Sequence, residues 1–356
     1  MRIEEQDGTP VRLTMTQADD WHLHVRDGAM LAAVLPDTIR RFGRAIIMPN
    51  LHPPVTTVAA ARDYRRRILA CVPAGTAFTP LMTLYLTAAT TVADIDEAAA
   101  SGLITAVKYY PAGQTTNSHH GVADIRECDR VLAALERHDM PLLVHGEVVD
   151  ADVDVFAREE VFVTRVLAPL LADFPGLRVV MEHITTAAAA AFVRAGPKRL
   201  AATITAHHML LNRNALFDGG IRPHHYCRPL LQGEEDRKAL IAAATSGHPR
   251  FFLGTDSAPH ARFAKENACG CAGIYTAHAA LELYAEIFAD AGALARLEGF
   301  ASHFGADFYG LPRNTGTVSL VRDVSAVPQT VSFGTGPGVP FRAGLNLQWR
   351  LVETLA

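Results

Sequence analysis

Two histidines one residue apart, His22 and His24 in Asp20-Trp-His-Leu-His-Val-Arg-Asp-Gly28, are the first residues of this chain whose types and spacing point to chemistry. Alternate side chains of a strand share a face, so both imidazoles present themselves to one side. Two imidazoles held that way can begin a site for zinc or another divalent metal. The pattern is short, and two ordinary histidines at a strand end would also account for it. Three further apolar runs, however, end in ligand-type residues: one in His145, one in Glu182-His183 and one in Thr255-Asp256. A satisfied core histidine explains any one of these. Four histidines and an aspartate, each just beyond an apolar run, point to one shared site. Another run ends in Lys108, and a lysine directed into a protein interior is costly to bury as a cation. The residues leave two readings open. Lys108 snorkels to solvent or pairs with an acid, or carbon dioxide carbamylates it into an anion that bridges two divalent ions.

The elements that must position these residues are short β-type runs at 44–49, 79–86, 105–110, 141–145, 177–183, 200–204 and 250–254, with 21–25 as the first of eight. Between them lie Ala- and Arg-rich segments with helical spacing, at 58–71, 125–137, 158–171 and 187–193. Strands alternating with helices predict an α/β chain with a parallel sheet, and eight such repeats predict a TIM-type (β/α)8 barrel. Barrel enzymes place catalysis at the C-terminal ends of the strands, where the residues above stand. The whole chain, 1–356, is expected to be one domain with its core over about 12–312. Residues 313–356 read as a C-terminal extension of β-prone pieces broken by Gly and Pro. About 20 residues precede the first barrel strand, an expected shortfall for any separate N-terminal β-domain.

A formal net charge of −4 shows no basic face for nucleic acid or an anionic membrane. No stretch reaches the roughly 18 apolar residues of a membrane span, and the acidic N-terminal segment lacks a signal-peptide core, so a cytoplasmic location is expected. The five cysteines, an odd and scattered set, suit free thiols. Cys269-Gly-Cys271 has no second cysteine pair to complete a zinc cage and reads as a tight loop.

The motifs resemble the amidohydrolase superfamily and, within it, the short stand-alone bacterial type of the dihydroorotase family. The matching segments are Asp20–Gly28, Ile47-Met-Pro-Asn-Leu51 with Pro53-Pro-Val55, and Val107-Lys-Tyr-Tyr-Pro111. They continue with Thr115-Thr-Asn-Ser118, His120-Gly121, Met140–Glu147, Glu182-His-Ile-Thr185, Arg222-Pro223, Gly254-Thr-Asp-Ser-Ala-Pro-His-Ala-Arg262 and Cys269–Gly273. The resemblance implies a cyclic amidohydrolase with two zinc ions per chain. His22, His24 and Asp256 would hold one zinc, His145 and His183 the second, and Lys108, as N6-carboxylysine, would bridge them together with a hydroxide. Asp256 would also shuttle the proton. It further implies that Arg26, Asn50 and His260 clamp a substrate carboxylate, Arg being suited to a bidentate contact. Thr115 and Thr116 would belong to a mobile loop over the substrate, and backbone near Cys227, Arg228 and Ala272 would meet the ring amide. A small-molecule substrate, dihydroorotate or N-carbamoyl-L-aspartate, and a homodimer follow from the same resemblance.

Two positions depart from that family's pattern: His207 stands where a glutamine is usual, and Arg228 where an apolar residue is common. His207 and His208 read as structural residues or partners of the ligands. One rival reading is a hydantoinase- or allantoinase-like enzyme, which would carry a β-domain built from both termini and lack the Arg26, Asn50 and His260 set. The other is a catalytically dead scaffold, against which the intact ligand set argues.

Overall fold

The structure is a computed structural model that describes residues 1–113 and 116–352. Fourteen strands are present among these residues. β1 (Arg2–Gln6) and β2 (Thr9–Thr16) precede the eight central strands. These are β3 (Ala18–Leu23), β4 (Phe42–Ile47), β5 (Thr79–Tyr85), β6 (Ile104–Tyr109), β7 (Leu142–His145), β8 (Val179–Glu182), β9 (Leu200–Ile204) and β10 (Phe251–Leu253). β11 (Thr317–Ala326), β12 (Val331–Ser332), β13 (Pro337–Gly338) and β14 (Asn346–Val352) complete the set. β3 to β10 pair in sequence order, all parallel. Beyond Leu23 the first and last of them meet: His24 N–H donates to Ser257 O at 3.2 Å and Asp256 N–H to His22 O at 2.9 Å, closing the barrel. Helices such as Val58–Ala70, Val92–Ser101, Asp129–Arg137 and Ala187–Ala195 cover the outside. Three of these four start at a threonine cap, with Thr91 and Asp94 forming a reciprocal box. No helix among the described residues is long and apolar enough to cross a membrane.

The apolar residues divide as a barrel requires. One cluster lies between strands and helices. A second, built from Trp21, Ile46, Ala106, Leu143, Val180, Ala201 and Phe252 with Ala306 and Tyr309, takes one inward residue from each of seven strands. Two residues further along three of these strands stand Lys108, Glu182 and His145, so strand alternation puts a polar layer directly above an apolar floor. Gly254 belongs to the same layer. A Cβ there would lie 2.7 Å from Thr203 Cβ and 3.1 Å from His22 Cβ, so only glycine lets the strands approach this closely.

The termini correct one expectation. β1, β2, β11 and β14 form a four-stranded antiparallel sheet in that order, so the short N-terminal segment does join the C-terminal one in a small flanking β-layer. Absence of such a layer therefore does not separate this chain from hydantoinase-like enzymes.

Candidate active site at the barrel mouth

Four of the expected ligands come from strand ends where the backbone departs from regular β geometry. Alternation from Trp21 would turn His22 away from the barrel interior, but the register of β3 against β4 shifts between Asp20 and Leu23. His22 Nε2 and His24 Nε2 consequently lie 3.2 Å apart. On β8, alternation from Val180 favours Glu182 over His183. His183 has φ 45°, and its ring centroid comes to 4.9 Å from those of both His22 and His145. Asp256 has φ 44° and Arg26 φ 57°. Left-handed backbone at non-glycine residues costs about 1–3 kcal/mol each and persists only where the surroundings enforce it. Here it holds three side chains on the wall of one cavity.

The donor set is compact and buried. Asp256 Oδ1 lies 3.3 Å from His22 Nε2 and 3.1 Å from His24 Nε2. Ligand atoms of His22, His24 and Asp256 all fall within 4.8 Å of one another, as do those of His22, Glu182 and His183. Glu182, which in the sequence flanks His183 as a residue that could orient a ligand, lies 3.0 Å from His22 Nδ1 and pairs with Lys108 Nζ. His145 Nε2 is engaged by Glu147 at 2.6 Å. The buried Nδ1 of His183 has no hydrogen-bond partner among the described residues. Burial drives His24 down to about 4 and His183 well below the usual imidazole range. Burial would lower His22 too, yet Glu182 and Asp256 raise it to about 9. Although burial opposes it, His22, His24 and His183 hold Asp256 well below the carboxylate range. Burial also depresses Lys108, against the pull of Glu182. The neutral imidazoles of His24 and His183, the ionised carboxylate of Asp256 and the unpartnered ring nitrogen of His183 fit a divalent metal, whose charge would take the place of the proton on His22.

Asp20 was not singled out by sequence reasoning. It lies buried below the histidine cluster, accepting from Thr255 N–H at 2.9 Å, Thr255 Oγ1 at 2.6 Å and His22 N–H at 3.1 Å. It ties β3 to the segment carrying Asp256, and its only signal in the sequence is an acid two residues before His22.

Above the cluster, Arg26, Asn50, Thr116, Arg228 and Ala272 line the cavity together with the histidines. Arg26 Nη2 donates to His260 Nε2 at 2.9 Å and its Nε to Pro259 O at 3.1 Å; among the described residues it meets no carboxylate. His24 Nδ1 donates to Asn50 Oδ1 at 2.9 Å, while Asn50 Nδ2 donates to Thr116 O at 3.1 Å. Thr116 Oγ1 reaches Ala272 O at 3.4 Å. Thr115 lies outside the described residues. Cys227 is buried, with its thiol turned to Pro229 O at 3.3 Å rather than into the cavity. Arg228 faces the cavity and pairs with Glu147 at 3.5 Å, so this departure adds a cation behind His145. His208 is satisfied by Thr205 Oγ1 at 2.7 Å and Pro229 O at 3.0 Å. His207 is buried, and neither of its ring nitrogens has a partner among the described residues.

Known proteins resemble this chain along nearly its whole length. The model of the Amidohydrolase family matches residues 19–321. The chain is 62% identical over 341 residues to a dihydroorotase of Methylobacillus flagellatus, covering 96% of this chain and 99% of that protein. Among solved structures it is similar to the dihydroorotase of Saccharomyces cerevisiae in complex with 5-fluoroorotic acid, with 35% identity, a TM-score of 0.89 and coverage of 97% and 100% of the two chains. It is also similar to the dihydroorotase of Campylobacter jejuni, with 34% identity, a TM-score of 0.88 and coverage of 96% and 97%. With close relatives matched along nearly their whole length, the chain belongs to the amidohydrolase family and, within it, to the dihydroorotases.

Proposed function

We propose that this chain catalyses the reversible closure of N-carbamoyl-L-aspartate to L-dihydroorotate, with Asp256 as the proton shuttle. The observation that carries the reading is Arg26: a guanidinium on the cavity wall, next to the His22, His24 and Asp256 cluster, with no carboxylate of its own among the described residues. A half-buried guanidinium that feels Asp256 only at a distance and hydrogen-bonds to no carboxylate among the described residues has donors to spare, and a substrate carboxylate would take them in a bidentate pair. His260 and Asn50 flank it and would fix the orientation of that carboxylate.

His22, His24, Asp256, His145, His183 and a carboxylated Lys108 would hold a pair of zinc ions. When bound, such a pair supplies an activated water at neutral pH and polarises the amide carbonyl. Asp256, kept ionised by its imidazole neighbours, accepts a proton from the nucleophile in the hydrolytic direction and returns it to the departing ring nitrogen. Glu182 and Glu147 orient His22 and His145. Arg228 stands where its charge can bear on the substrate. A homodimer in the cytoplasm completes the proposal on the family resemblance.

The test is an assay of the purified protein with L-dihydroorotate, following the loss of ultraviolet absorbance as the ring opens, alongside metal analysis. Turnover with about two metal ions per chain is expected. Metal without turnover on this substrate, but with turnover on another cyclic amide, would overturn the assignment.

A further inference from the structure

Outside the barrel mouth, a second group of ligand-type side chains stands on the surface. His52 follows β4 and the segment carrying Asn50. His119 and His120 lie on the loop that carries Thr116. Ligand nitrogens of all three lie within 4.8 Å of one another, with ring centroids 6.3 Å apart for His52 and His119 and 4.2 Å for His119 and His120. All three are exposed, and none of their rings forms a hydrogen bond or ion pair with another described residue. We infer that His52, His119 and His120 form a separate binding site for a divalent cation of the zinc, copper or nickel type, which cross-links the Asn50 segment to the Thr116 loop.

Three imidazoles without thiolate or carboxylate select borderline nitrogen-seeking cations over magnesium or calcium. A tetrahedral cation takes its ligand nitrogens at about 2.0–2.1 Å, and these exposed side chains reach that spacing by rotation. The two segments are already in contact, since Asn117 Nδ2 donates to Asn50 O at 2.9 Å and Asn50 Nδ2 to Thr116 O at 3.1 Å. In this arrangement the cavity beneath them leaves about 20 Å³, little more than one water needs. Asn50 and Thr116 both stand on the wall of that cavity, so parting of the two segments widens it for a substrate-sized ring. A cation holding them together slows that parting, and with it turnover.

The site stands apart from the one to which we assign the reaction, and binding is read as heat, whatever the substrate proves to be. Holoenzyme already saturated in its own metal and dialysed free of excess is titrated with zinc chloride by calorimetry. One additional equivalent is expected, and it should be lost in His52→Ala and in His119→Ala, both with unchanged turnover and thermal midpoint before zinc is added. Added zinc should slow the wild type and leave both variants unaffected. No additional equivalent, or one that persists in both variants, overturns the site. An additional equivalent that does not alter turnover overturns the cross-link.

Discussion

Asp256 carries two demands that one substitution separates from the fold. Its carboxylate touches His22 and His24 and is the one ionised oxygen donor facing the cavity from the last barrel strand. Asp256→Asn keeps shape and volume but removes the basic oxygen. Turnover should fall by about 10²–10⁴-fold, the scale of a general acid–base contribution, while circular dichroism and the thermal midpoint stay near wild type. Activity within tenfold of wild type would refute the shuttle. At this scale the residues that cluster at the mouth were legible because most of them end an apolar run, and polar residues there are otherwise expensive. How they are aimed was not legible. The positive φ values of His183, Asp256 and Arg26 arise from barrel closure, a tertiary constraint that no local spacing encodes. Glu182 illustrates the same gap. Only the barrel cross-section brings it to both His22 and Lys108.

The loops above the mouth are organised by a residue that carries no motif. Lys265, 5% exposed, directs its ammonium at three backbone carbonyls, those of Tyr226 at 3.0 Å, Cys271 at 2.9 Å and Gly273 at 2.5 Å. One cation thus uses all its donors to join the segment of Cys227 and Arg228 to that of Ala272, the two backbones expected to meet the substrate. Burial, helped by Arg26 and opposed by Cys227 and Cys271, pushes Lys265 down to about 8. Below that pH the ammonium serves three carbonyls. Above it the neutral amine offers two donors, one carbonyl is abandoned, and the loops loosen. KM should therefore rise as pH passes through about 8, with kcat and metal content little changed. Lys265→Met should raise KM roughly tenfold at neutral pH, the cost of misplaced contacts, and should lose that step in the pH profile. A profile that keeps the step in the variant would assign it to another group. The strands and helices were readable from period and capping. These loops were not, because carbonyls converging from two distant segments leave no pattern along the chain.

At the scale of the molecule, the terminal sheet ties both ends of the chain to the barrel. Expecting the first residues to be too short for a β-layer overlooked the alternation of Val11, Leu13 and Met15, which becomes decisive only once β11 supplies a partner from 300 residues away. Leu13, Val318, Leu320, Leu347, Trp349 and Leu351 are buried in this layer, and Trp349 is among the largest side chains that are fully buried. β14 is also fastened to the helix Ala280–Asp290, where Glu286 accepts from Gln348 N–H at 2.6 Å and from Arg342 at 2.5 Å. That helix reaches the barrel as well, since Tyr284 donates to Ile204 O at 2.8 Å and Gly254 O at 3.2 Å, directly behind the segment of Asp256. The sheet is thus coupled through one helix to the strand ends that shape the site. Trp349→Ala should cost about 3–5 kcal/mol, the range for emptying a buried Trp site, read as a lowered urea midpoint with an unchanged slope. Because the coupling passes through packing and not through the ligands, kcat of the folded fraction at low temperature should stay near wild type. A variant with wild-type stability would show that the terminal sheet is an appendage, and one that is stable but inactive would show that it reaches the chemistry directly.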